Sequence, residues 1–181
     1  LVTNQILDTV TFKPTYGGGE RYLRELVSLF DSLGFTVTIL HANAVSSLDI
    51  RSVFGCRVLC VPSRLDRSGF FVQLNRLAFK LAGRVDHVVY FLPETGAPVV
   101  AGNSLLISHG IWFDHANYAG VSYRTRLFWK RIKTAFTAPA HCVSVDTNTI
   151  GLIRSLWPVA AQKWHFIPNF YDPDKFRPVP L

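Results

Sequence analysis

The chain has 181 residues, 49% of them hydrophobic and 17% charged, with a formal net charge of +7. That size and balance fit one α/β domain with a substantial core and exclude a disordered tail or two full-size domains. No apolar run reaches the roughly 18 residues that a membrane-spanning helix needs, and the positive charge favours anionic partners without choosing among sugar nucleotides, lipid surfaces and nucleic acid.

Strand and helix patterns alternate along the chain. Gln5–Val10 reads as a first strand, and Thr11–Gly19 as a glycine-rich loop. Glu20–Leu33 is helical, because Leu23, Leu26, Val27, Phe30 and Leu33 recur at three- and four-residue steps. Gly34 is a natural helix stop. Phe35–Leu40 and Arg57–Val61 are strand-like, Ser68–Leu81 is an amphipathic helix, and His87–Leu92 and Leu105–Ser108 are further strands. Val121–Ala138 is a second strong helix. His141–Val145 is a strand, Asp146 or Thr147 caps a helix ending at Leu156, and Trp164–Ile167 is a last short strand. The stretch 172–181 is rich in proline and reads as the start of a linker.

Strands separated by helices imply a mainly parallel central sheet with helices on both faces. Ligands of such sheets bind outside the carboxyl ends of the strands. The residues that follow strands therefore matter most: Gly17, Gly18, Gly19 and Glu20, then Glu94, His109, Asp114 and His115, and finally Asp146 and Asn148. A glycine turn opening a helix presents free amides and a partial positive charge, which suits a phosphate. An ordinary flexible turn explains the same residues equally well. Glu20 favours the helix dipole yet would repel an anion placed very close. A turn explains Glu94, a helix cap explains Asp146 and Asn148, and exposed loop polarity explains Asp114 and His115.

Several classes are excluded by motif. The glycine spacing is not that of a dinucleotide site, and His41, taken to follow the second strand, is not an acid. No P-loop occurs, and no zinc finger, RNP aromatic motif or polybasic block points to nucleic acid. Cys56, Cys60 and Cys142 fit no zinc spacing. Their odd number, with no basic signal segment over 1–10, predicts reduced, buried thiols and a cytoplasmic protein.

The segment GGGERYLRELVSLFDSLGFTVTILHA resembles the opening of family 4 (group 1) glycosyltransferases, with a G-G-x-E-like turn before a helix and a second strand. KWHFIPNFYDPDKFRP is similar to that family's I-P-N-G-V-D-x-x-x-F-x-P segment, with Phe170-Tyr171 in place of Gly-Val. The resemblance implies a Rossmann-like three-layer domain over 1–172, the acceptor-side half of a GT-B enzyme. Residues 173–181 would then start the linker to a donor-binding domain that follows. It implies a retaining transfer from a nucleotide sugar to a glycan or lipid-linked acceptor, with no metal or cofactor, and a fragment inactive alone. It also implies that Gly17–Gly19 approach the donor diphosphate or the acceptor, and that His109, after a central strand, lies near the donor sugar.

Tyr123–Phe136 carries Arg124, Arg126, Lys130, Arg131 and Lys133 beside Leu127, Phe128, Trp129, Ile132 and Phe136. It suits peripheral contact with the inner face of an anionic membrane, or equally a helix that packs its apolar arc on a sheet. A different class of function fits the same sequence: a non-catalytic Rossmann-like module that holds an anionic lipid or a protein partner.

Overall fold

The computed structural model describes residues 1–3, 6–8, 13–15, 17–43, 49–62, 67–111 and 122–169. The strands are β1 (Val2–Thr3), β2 (Thr38–Asn43), β3 (Asp49–Val53), β4 (Cys56–Pro62), β5 (Val88–Tyr90), β6 (Ser104–Ser108), β7 (His141–Ser144) and β8 (Trp164–Phe166). The helices are α1 (Gly18–Ser32), α2 (Arg67–Leu81), α3 (Tyr123–Thr137), α4 (Thr147–Leu156) and α5 (Pro158–Ala161). One sheet runs in the order β3-β4-β2-β1-β5-β6-β7-β8, and every pairing is parallel except β3 with β4. The expected α/β architecture is present.

Successive strand residues point to opposite faces, and the core divides accordingly. Ile39, Val89 and Ile107 meet Leu23, Leu26 and Val27 of α1. Their neighbours Leu40, Tyr90 and Leu106 meet Leu74 and Ala78 of α2, Ile132 and Phe136 of α3, and Ile150 and Ile153 of α4. Burying each large apolar side chain of this kind contributes about 1.5–3 kcal/mol.

The periodic stripe of α1 holds, but both of its boundaries differ from the sequence reading. Gly18 and Gly19 lie in the first helical turn rather than in a loop, with Gly17 as N-cap. At the other end Gly34, at φ +83, closes a Schellman motif: Phe35 N–H donates to Phe30 O at 3.0 Å and Gly34 N–H to Asp31 O at 2.9 Å. The Phe30 and Phe35 rings meet edge to face at 6.2 Å. Phe35 therefore belongs to the helix cap, which is why the next strand starts at Thr38.

Three further positions correct the sequence reading. The first strand is Val2–Thr3, with Val2 opposite Leu40 and Tyr90; of the expected strand Gln5–Val10 the described residues are Ile6, Leu7 and Asp8, and they lie outside the sheet's strands. Ile6 and Leu7 are buried, but in an antiparallel turn-back in which Asp8 N–H donates to Lys13 O at 2.9 Å and Thr15 N–H to Ile6 O at 3.2 Å. His41 sits within β2, fully buried, and its Nε2 accepts from Leu7 N–H at 3.3 Å. Strand β3 was not foreseen. It is an antiparallel edge strand joined to β4 by a turn in which Phe54 and Gly55 have φ of 52 and 78.

At the far edge, Lys163 Nζ donates to Thr137 O at 2.6 Å and Pro139 O at 2.9 Å, and Trp164 Nε1 donates to Phe136 O at 3.1 Å. These bonds satisfy carbonyls at and just past the end of α3. Cys56, Cys60 and Cys142 are buried thiols outside any disulfide, as expected, and burial pushes the Cys142 thiol up to about 12. No helix among the described residues is long and apolar enough to cross a membrane.

Candidate functional site

Because β1, β5, β6 and β7 are parallel, the residues that follow them gather at one end of the sheet. After β1 the chain enters α1 through Gly17, which has an extended backbone and no side-chain cap. The first bond of the helix is Arg21 N–H to Gly17 O at 3.1 Å, so the amides of Gly18, Gly19 and Glu20 precede the intrahelical ladder. The Glu20 carboxylate folds back beside Gly17, where a side chain at that position would stand. It lies at the positive end of the helix dipole, in the region an incoming anion would seek.

After β5, Pro93–Gly96 forms a short 3-10 turn that carries Glu94, with one carboxylate oxygen, Oε2, buried. Asn75 of α2 fixes this turn and the segment after it. Its Nδ2 donates to Thr95 O and Val99 O, both at 2.7 Å, and its Oδ1 accepts from Val99 N–H at 3.0 Å.

After β6 comes His109. Its ring lies 4.4 Å from Phe91 and 4.8 Å from Tyr22, edge-on to the latter at 83°. Its Nε2 is buried with no hydrogen-bond partner among the described residues. Desolvation lowers its pKa from 6.5 to about 4, so the ring is neutral at pH 7. Gly110 follows at φ +121, a conformation that strains any other residue, with the Asp146 carboxylate beside it.

After β7, Asp146 caps α4: Oδ1 accepts from Thr149 N–H at 2.8 Å, and Oδ2 accepts from the Thr149 hydroxyl at 2.7 Å and the Ser144 hydroxyl at 3.0 Å. Burial works to raise its pKa, but these bonds and the Asn148 amide outweigh it and the net shift is downward. Its share of stability is present above the ordinary aspartate range and is lost as pH falls through the lower native value. Asn148 is an exposed residue in the first turn of α4. Asp114 and His115 lie outside the described residues. Among those described, no group of three or more His, Cys, Asp or Glu could hold a metal ion.

The sheet thus gathers the glycine turn, Glu94, His109 and Asp146 at its carboxyl end. Sequence reasoning missed the two rings against His109. Tyr22 and Phe91 carry no motif and read as ordinary core aromatics, so only the tertiary contact reveals them.

A mainly parallel sheet with helices on both faces defines a Rossmann-like α/β domain, a class in which ligands bind outside the carboxyl ends of the strands. The sequence profile of Glycosyltransferase Family 4 matches residues 16–175, and the chain belongs to that family. No curated protein sequence matches it.

Proposed function

We propose that this chain is the acceptor-side domain of a retaining glycosyltransferase. It works with a second domain that binds a nucleotide sugar, and it is inactive without that domain. The acceptor is a glycan or a lipid-linked sugar, and the protein acts in the cytoplasm. The observation that carries the reading is the convergence of His109 and the amides of the glycine turn on one end of the sheet, in a chain of this family. The leaving diphosphate gains negative charge in the transition state, and fixed amides at a helix N-terminus stabilise it without reorganising. A diphosphate reaching Gly17–Gly19 displaces the flexible Glu20 carboxylate. Neutral His109 offers a hydrogen bond to the sugar or the attacking hydroxyl. Glu94, Asp146 and Asn148 border the acceptor. The proposed chemistry uses no metal or cofactor.

The test is nucleotide-sugar turnover by the gene product carrying this segment together with the domain that follows it. The expected result is nucleoside diphosphate release and a glycoside with the donor's anomeric configuration, read by NMR. No donor consumption with any glycan or lipid-linked acceptor would instead favour a non-catalytic module that binds an anionic lipid or a protein.

The exposed face of α3 supports peripheral membrane contact at the same time. Ile132, Ala135 and Phe136 face the core, and Phe128 and Trp129 pack partly against it. Tyr123, Arg124, Arg126, Lys130 and Lys133 stay exposed on a helix that has no acidic residue. Each basic side chain near an anionic surface contributes about 1 kcal/mol. Reversing both Lys130 and Lys133 to Glu is therefore expected to weaken co-sedimentation with phosphatidylglycerol vesicles by roughly tenfold or more. Binding that is unchanged, or equal on phosphatidylcholine, removes α3 from any membrane contact.

A further inference from the structure

Three aromatic rings from three elements meet behind the glycine turn. Tyr22 comes from α1, close after Gly17. Phe91 directly follows β5, and His109 directly follows β6. The centroid separations are 4.8 Å for Tyr22 with His109, 4.4 Å for Phe91 with His109 and 6.0 Å for Tyr22 with Phe91. Phe91 is fully buried and is fixed by its N–H, which donates to Val2 O at 3.1 Å. Tyr22 is on the same helix as Leu23, whose side chain is fully buried. Both rings against His109 are thus held by the core.

We propose that Tyr22 is a positioning residue for His109: with Phe91 it clamps the imidazole in one orientation and ties it to the helix that begins at the glycine turn. The chemical reason is twofold. An edge-on ring contact fixes the plane of the imidazole, since aromatic pairs favour this geometry over a loose stack. The two rings also exclude water from the histidine, which disfavours the imidazolium. Among the described residues, the titratable groups next to His109 are the Tyr22 phenol, whose ring meets the imidazole, and the Asp146 carboxylate beside Gly110. Desolvation, not any of these charges, accounts for the neutral ring. Because Tyr22 and the free amides of Gly18 and Gly19 share one helix, the histidine and the anion-seeking turn keep a fixed separation. A transferase of the kind proposed above needs that separation when donor and acceptor meet.

The functional half of this inference rests on that proposal, but the clamp is measured without any sugar. In the 181-residue chain, the His109 ring is followed by NMR against pH and assigned with His109→Gln. Tyr22→Ala is expected to raise the His109 midpoint by about one pH unit or more as water reaches the ring, and Tyr22→Phe to leave it in place. If Tyr22→Ala fails to fold, Tyr22→Leu keeps a smaller apolar side chain there without a ring edge and is expected to release the ring in the same direction. A midpoint within about 0.3 unit of wild type in the folded non-aromatic variant overturns the clamp. In the complete enzyme, Tyr22→Ala is expected to lower kcat with little change in KM, and Tyr22→Phe to restore it. A raised midpoint with unchanged turnover would keep the clamp and overturn the placing of His109 in the transfer site.

Discussion

If the chain works in the two-domain transferase proposed above, replacing His109 by alanine in that enzyme is expected to lower kcat by roughly 100- to 1,000-fold, the usual loss when one preorganised polar group is removed from a transfer site. The fold should survive. The imidazole Nε2 has no hydrogen-bond partner among the described residues, so its removal there orphans no buried group. What is lost structurally is a filled space between Phe91 and Tyr22, with a cost of about 1–2 kcal/mol. Thermal unfolding separates that cost from the kinetic effect. The pH dependence has a definite sign. Native His109 takes up its proton near pH 4, whereas the unfolded chain does so near 6.5. The unfolded state therefore binds more protons between these values, and the contribution to stability falls as pH drops from 6.5 towards 4. If neutral His109 serves the transfer, kcat/KM has its acid limb near 4 rather than near 6.5. Unchanged turnover in the alanine variant would remove His109 from the site.

The second large effect is expected at Asn75. Asn75→Ala should destabilise the chain by roughly 3–5 kcal/mol, because it leaves the Thr95 and Val99 carbonyls and the Val99 amide without their side-chain partner. Asn75→Asp should do no better, since it replaces the amide that donates to two carbonyls with an acceptor. Arg76→Ala, at an exposed position on the same helix, should stay within about 0.5 kcal/mol of wild type. Urea unfolding checks the set, with a lower midpoint at constant slope as the expected signature. A loss below about 1 kcal/mol for Asn75→Ala would mean that the backbone alone holds the turn carrying Glu94.

The parts of the fold that were legible are those in which one chemical pattern acts over many residues. Leu23, Leu26 and Val27 repeat at helical spacing and are buried as that spacing requires. The apolar runs of β5 and β6 read correctly because both faces of a central parallel strand are covered. The misreadings came where a local pattern serves a different partner. Ile6 and Leu7 look like a strand and are buried, yet the ladder uses Val2 and Thr3. Phe35 looks like the start of a strand, yet it closes a helix cap. Strand β3 escaped notice because Phe54–Gly55 lacks the usual Asn-Gly or Asp-Gly turn signal. In the candidate site, the strand-end rule found the place of His109, Glu94 and Asp146. It could not find Tyr22 and Phe91, whose contact with His109 joins residues far apart in sequence.

The bonds from Lys163 and Trp164 to the end of α3 have a consequence for how the chain is made. Thr137, Phe136 and Pro139 emerge from the ribosome well before the groups that cover their oxygens. Until residue 164 has cleared the exit tunnel, those oxygens must be hydrated and Phe136 lacks the indole that meets it edge to face at 5.3 Å. Closure of the seam at the end of this helix is therefore a late event in biosynthesis, and a stalled nascent chain that ends before Lys163 would display those oxygens to chaperones.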